Sequence, residues 1–76
     1  MSIIIYSKDN CSQCFMIQKL CERKKIDHQI KKLNVDFSQD DMLQLTEGKA
    51  RSYPQVFNGE DYIGDFTAAQ KFVAKL

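Results

Sequence analysis

Ile3-Ile4-Ile5-Tyr6 is an unbroken β-branched and aromatic run near the start of the chain. Such a run reads as a strand buried on both faces, which places it in the middle of a sheet. A chain of 76 residues with a central strand of this kind needs elements packed above and below it. One domain, residues 1–76, is the expectation at this length. A domain this small buries only about 60% of the surface its unfolded chain exposes, so its core is thin.

The remaining elements follow from patterning. Ser7 to Asn10 is polar and turns the chain into a helix from about Ser12 to Lys25, where Cys14, Ile17, Cys21 and Phe15, Leu20 follow helical spacing. A second, mixed strand covers His28 to Val35. Ser38 caps a short helix with Asp40 and Asp41 in its first turn. Phe37 and Met42 fit a hydrophobic staple, and Gly48 suits the left-handed position past the helix end. This helix is roughly one and a half heptads long by pattern. Gln55-Val56-Phe57 reads as a strand, Asn58-Gly59 as a hairpin turn, and Glu60 to Ile63 as the returning strand. Gly64-Asp65-Phe66 turns the chain again. Thr67-Ala68-Ala69-Gln70 has capping-box spacing for a last helix, with Phe72, Val73 and Leu76 on its buried face. Phe57, Tyr62, Phe66 and Phe72 read as core. The order β-α-β-α-β-β-α combines a right-handed parallel βαβ unit with an antiparallel hairpin. The fold class is α/β, a four-stranded mixed sheet flanked by helices.

Composition excludes several function classes. Eleven basic and ten acidic residues leave a net charge of +1, which gives no case for nucleic-acid or anionic-membrane binding. Arg23, Lys24, Lys25 and Lys31, Lys32 read as a solvated helix end and strand edge. No run approaches the length of a membrane span. Met1-Ser2 leads directly into a short apolar run, with no signal-peptide pattern. Three cysteines do not make a secreted disulfide framework. The cytoplasm, with its reducing thiol pool, is the expected compartment.

Cys11-Ser12-Gln13-Cys14 sits where the buried strand gives way to the first helix. Two thiols with two residues between them can close a small disulfide ring. The chain-entropy model gives about 2 kcal/mol for so short a loop, before ring strain. A bond that contributes little to folding is better explained as one that opens and closes. Unpaired N–H groups at the helix start point toward the first sulfur and favour its thiolate. Cys11 is therefore the expected nucleophile. Cys14, one turn inside on the apolar side, is the resolving thiol. Ser12 is expected to cap the helix, and Gln13 to be exposed where it can touch a substrate.

The same thiols allow a metal-binding module as an alternative, with zinc held by Cys11, Cys14, Cys21 and His28, or an iron–sulfur cluster shared between chains. Helix geometry opposes the zinc set. Cys14 and Cys21 lie about 10.5 Å apart along a helix, whereas zinc holds each sulfur at about 2.3 Å. Cys21 reads as a small core residue. His28 reads as a half-exposed strand residue out of reach of Cys11. No metal is assigned.

The chain resembles the glutaredoxin family, specifically a small glutaredoxin or glutaredoxin-like redoxin of the thioredoxin fold. Tyr6-Ser7-Lys8 before Cys11-Ser12-Gln13-Cys14, then Ser52-Tyr53-Pro54-Gln55-Val56-Phe57, then Ile63-Gly64-Asp65-Phe66 carry the resemblance, which spans essentially the whole chain. It implies a cis peptide between Tyr53 and Pro54 that turns the Tyr53 backbone toward the active site. It implies a substrate and glutathione surface made from Lys8, Gln13, Arg51, Tyr53, Pro54, Asp65, Phe66 and Thr67. Lys49 beside Arg51 is a further candidate for a substrate carboxylate, and Tyr6 is placed beside the site. Asp65 replaces the second glycine of the family's turn, and Thr67-Ala68 replaces an acidic pair that helps hold glutathione. Gln13 before the second cysteine is similar to redoxins that serve ribonucleotide reductase and draw electrons from thioredoxin reductase.

These residues imply a monomeric dithiol–disulfide oxidoreductase with no bound cofactor. Its expected partners are disulfide-containing proteins, ribonucleotide reductase among them. Its expected electron source is glutathione as co-substrate or a thioredoxin-reductase-like flavoprotein.

Overall fold

The computed structural model describes residues 2–76; Met1, the first residue of the expected domain, lies outside the described residues. Seven elements follow in order: β1 (Ile3–Ser7), α1 (Ser12–Arg23), β2 (His28–Lys32), α2 (Gln39–Leu45), β3 (Gln55–Asn58), β4 (Asp61–Gly64) and α3 (Phe66–Ala74). The sheet order is β2-β1-β3-β4. β1 runs parallel to β2 and antiparallel to β3, which pairs antiparallel with β4. This is the mixed four-stranded sheet of the thioredoxin fold.

β1 is an interior strand, as its apolar run requires, and its alternation divides the core. Ile3 and Ile5 face α1 and α3, where they pack with Ile17, Cys21, Val56, Ala69 and Val73. Tyr6 faces the other way and packs with Phe37, Met42, Ala50 and Phe57, with Ile4 and Tyr62 at the margin. Phe37 precedes the cap and Met42 follows it, so the staple forms. Ser38 and Asp41 complete a reciprocal capping box at α2.

The element ends depart from the sequence pattern for local reasons. α1 stops at Arg23 rather than Lys25, because Lys25 turns left-handed (φ +57°). The Ile26 N–H then reaches back to the Cys21 carbonyl at 2.9 Å, closing the helix end. β2 stops at Lys32 rather than Val35. There Asn34 is left-handed (φ +65°), and the Asp36 carboxylate accepts the Lys32 N–H at 2.9 Å. α2 is seven residues long, shorter than its pattern, and Glu47 (φ +55°) takes the left-handed step ahead of Gly48 (φ +81°).

The hairpin loop is Gly59-Glu60, one place later than Asn58-Gly59, because Asn58 pairs with Asp61. β4 accordingly begins at Asp61 and runs through Gly64. α3 starts at Phe66 with Asp65 as its cap; the expected cap, Thr67, lies inside the first turn. Two expected core residues face water instead: Phe15 on α1 and Leu76 beyond α3 are exposed.

Candidate active site

β1 ends at Ser7, and the polar loop Lys8–Asn10 carries the chain from the C-terminal end of that strand to the start of α1. Asn10 is left-handed (φ +56°), which a short polar side chain tolerates. Cys11 is then extended (φ −117°, ψ 101°) and is itself the N-cap of α1; Ser12, expected to cap, is the first helical residue. The Cys14 N–H donates to Cys11 Sγ at 3.1 Å. A sulfur thus does the work that a serine or aspartate oxygen does at most helix starts.

Cys11 and Cys14 are joined as a disulfide, with Cα atoms 5.3 Å apart. The two sulfurs differ in access. Cys14 is 5% exposed, on the core side of α1, whereas Cys11 is only partly covered. Approach from solvent is therefore to Cys11. The Tyr53 carbonyl oxygen stands 3.7 Å from Cys11 Sγ, and the Tyr53–Pro54 peptide is cis.

Tyr53 is held from both directions. Its hydroxyl donates to Gln39 Oε1 of α2 at 2.6 Å, and its ring lies 5.9 Å from that of Phe37. Burial pushes its phenol above the ordinary value. Tyr6 packs edge-on to Phe37 at 5.0 Å between centroids, in the cluster that Tyr53 borders. Pro54 is buried behind Tyr53.

A shallow hollow of about 250 Å³ opens beside the disulfide, lined by Lys8, Asp9, Asn10, Cys11, Cys14 and Lys32 among others. Lys32 Nζ reaches Asp9 at 2.8 Å, and this carboxylate holds the lysine above its ordinary pKa. Lys8 is exposed in the same hollow.

The other proposed recognition residues are spread more widely. Gln13, Arg51 and Thr67 are exposed. The Asp65 carboxylate is engaged as a helix cap, accepting the Ala68 N–H at 3.3 Å. Phe66 lies in a groove between α1 and α3 with Phe15 and Met16. The geometry thus brings Lys8 and the Tyr53 backbone to Cys11, while Phe66 lines the separate groove between α1 and α3.

Cys21 is fully buried in the core cluster. Burial, then the nearby Glu22 carboxylate, raises its pKa. His28 sits on β2 with Nδ1 2.8 Å from the Ile26 carbonyl. Among the described residues, no three His, Cys, Asp or Glu side chains are grouped so as to hold a metal ion, and no helix is long and apolar enough to cross a membrane.

Two residues around the site have roles that the sequence did not assign. Gln39 anchors the Tyr53 hydroxyl, and Gln55 anchors the Ser52 carbonyl at 2.7 Å. Gln55 was visible in the sequence as a member of the Ser52–Phe57 motif and as a polar side chain opening an otherwise apolar strand, but with no role attached. Gln39 left no trace, since an exposed glutamine at a helix start is unremarkable.

The family model for glutaredoxin matches residues 3–63, and the chain belongs to the glutaredoxin family. The general chemistry of that family is thiol–disulfide exchange. No curated protein matches the sequence at a significant level. Among solved structures, the buckwheat glutaredoxin–glutathione complex is similar, with a TM-score of 0.80 and 25% identity, over 96% of this chain and 68% of that one. The glutaredoxin-like NrdH-redoxin of Escherichia coli, described as having a thioredoxin-like activity profile, has a TM-score of 0.73 and 25% identity, over 100% of this chain and 95% of that one. Glutaredoxin 1 of Francisella tularensis, complexed with cacodylate, shares the fold with a TM-score of 0.77 at 20% identity, over 97% and 93% of the two chains.

Proposed function

We propose that this protein is a dithiol–disulfide oxidoreductase in which Cys11 is the nucleophile and Cys14 the resolving thiol. The observation that carries the reading is the Cys11–Cys14 disulfide at the start of α1, with the Cys14 N–H on Cys11 Sγ at 3.1 Å. In the reduced protein that N–H stabilises negative charge on the more accessible sulfur.

The Cys11 thiolate attacks one sulfur of a substrate disulfide. The substrate S–S bond breaks, and the departing thiolate takes a proton from water. A mixed disulfide on Cys11 remains. Cys14 then gives up its proton and attacks Cys11 Sγ, releasing the second substrate thiol. The substrate gains two electrons and two protons, and the Cys11–Cys14 disulfide is left behind. Cys14 begins within bonding reach of Cys11, so the second step is intramolecular and fast.

The oxidised protein needs two electrons and two protons, from a dithiol or from two monothiols. A thioredoxin-reductase-like flavoprotein fits better than glutathione. Asp65 and Thr67-Ala68 stand where the family holds one end of glutathione, and the Asp65 carboxylate is already committed to the α3 cap. Lys8, Gln13, Arg51, Tyr53, Pro54 and Phe66 remain the proposed substrate-facing set. The similarity to NrdH-redoxin supports a protein disulfide, such as that of ribonucleotide reductase, as acceptor. A reducing compartment, the cytoplasm, suits this cycle.

The test offers the oxidised protein two electron sources: glutathione with its reductase, or thioredoxin reductase, each with its nicotinamide cofactor. Faster reduction in the second arm is expected. Efficient turnover with glutathione alone rejects the choice of reductant. No reduction of any disulfide in either arm rejects the reaction itself.

A further inference from the structure

Gln55 opens β3 and is only 2% exposed, yet it carries a carboxamide. A buried amide is costly unless its groups are bonded. Both ends of this one are used. Nε2 donates to the Ser52 carbonyl at 2.7 Å, and Oε1 accepts from the Tyr62 hydroxyl of β4. Neither bond belongs to the sheet ladder. Together they tie the two C-terminal strands to the backbone just ahead of Pro54.

We infer that Gln55 is a positioning residue: through the Ser52 carbonyl it orients the Ser52–Tyr53 peptide, so that the Tyr53 backbone beside Cys11 is presented to an extended peptide disulfide. This rests on the exchange reaction proposed above and names its substrate class. The carbonyl and N–H of a trans peptide unit point in opposite directions. The Ser52 carbonyl is turned inward to Gln55, so the Tyr53 N–H is turned away from the interior. Among the described residues that N–H has no hydrogen-bond partner. The Tyr53 carbonyl stands 3.7 Å from Cys11 Sγ. One residue therefore offers a free N–H and a carbonyl next to the reacting sulfur, the pair that an added strand uses. The Tyr53 side chain is fixed separately by Gln39, which leaves Gln55 to set the peptide plane. Such a site reads backbone, and it distinguishes peptide disulfides from small disulfides that have none.

The test compares three substrates: an extended peptide disulfide, its counterpart N-methylated at the residues flanking the cysteine, and bis(2-hydroxyethyl) disulfide. The wild-type protein should favour the unmethylated peptide by about five- to tenfold in KM, the worth of a hydrogen bond. Gln55→Met is combined with Tyr62→Phe, so that the tyrosine hydroxyl is not left without its acceptor. In this variant the preference should fall to about twofold or less, with peptide KM raised by about the same five- to tenfold. The rate on bis(2-hydroxyethyl) disulfide and the rate of Cys11 alkylation should each stay within about twofold. Retained preference overturns the inference, and so does an equal loss on all three substrates. Equal use of both peptides by the wild type overturns it while leaving the exchange reaction standing. Failure to reduce any disulfide instead rejects the reaction. Should the double variant not fold, the wild type provides the measurement. One Gln55 side-chain amide proton should exchange at least about tenfold more slowly than those of exposed Gln13, and equal rates overturn the inference.

Discussion

The Cys14 backbone N–H meets Cys11 Sγ at 3.1 Å, so one sulfur is at once the reactive atom and the cap of α1. The two roles separate on substitution. Serine is a strong cap, but its hydroxyl is not a nucleophile toward a disulfide, so Cys11→Ser should lose disulfide reduction while the melting temperature stays close to that of the reduced wild type. Cys11→Ala loses both, and the missing cap costs about 1 kcal/mol, about 4–8 °C in a domain this size. Calorimetry on the two reduced variants checks this. Equal melting points for serine and alanine would show that the sulfur does not cap.

Cys14→Ser should retain the first chemical step and lose the second. The Cys11 mixed disulfide then has no internal attacker and accumulates. Mass spectrometry of the variant after incubation with a peptide disulfide should show one substrate half per chain, released by added dithiol. An unmodified variant that still turns over would contradict the assignment of Cys14.

Asp65 accepts the Ala68 N–H at 3.3 Å and is the residue that starts α3. Asp65→Ala should cost about 1 kcal/mol, and Asp65→Asn or Asp65→Ser a few tenths. Denaturant titration of the three variants ranks them. If alanine and asparagine are equally destabilising, the carboxylate acts through something other than the cap.

The placing of Asp65 shows where sequence reading succeeds and fails. β1, the Cys11-x-x-Cys14 junction and the Ser38 capping box were legible because their signals are local: an apolar run, a spacing, an oxygen three residues before its donor. The true caps of α1 and α3 were not. Cysteine is not a usual cap, and Thr67 two residues after Asp65 offers an equally good pattern. Lys25, Asn34 and Glu47 end elements by turning left-handed; asparagine tolerates that conformation, but lysine and glutamate give no signal for it. Phe15 fits the helical stripe yet faces outward, 56% exposed, because its position lies at the edge of the buried arc. The grip of Gln55 on Ser52 and Tyr62 spans only three and seven residues, yet it forms only once the β3–β4 hairpin is folded, and the residue types alone do not announce it.

Gly64 joins β4 to the cap of α3 at φ +136°, and a Cβ there would lie 2.8 Å from the Ala68 Cβ. Both the backbone angle and the contact exclude a side chain. Gly64→Ala should therefore destabilise by about 1–3 kcal/mol through overpacking alone. Combining it with Ala68→Gly should recover part of the loss, because the contact is relieved while the backbone strain remains. Urea midpoints of the single and double variants measure both parts, and no recovery would place the whole cost in the backbone.

Cys21 gives the fold an alkaline limit. Its thiol ordinarily titrates at 9.0 and is raised in the folded chain by burial and then by Glu22. Above the unfolded value the unfolded chain has lost this proton while the native chain still holds it, so stability falls as pH rises. The contribution is complete below pH 9.0 and is lost as pH climbs toward the raised native value. In the oxidised protein Cys11 and Cys14 do not titrate, so the effect belongs to Cys21. Tyr53 and Tyr62 are raised as well and add their loss at higher pH in any variant. Urea midpoints followed from roughly pH 8 to 10.5 should fall more steeply for the wild type than for Cys21→Ala, whatever the offset between them. Parallel curves would mean that the thiol reaches solvent in the native state, and alkylation of Cys21 without denaturant would then be as fast as in its presence.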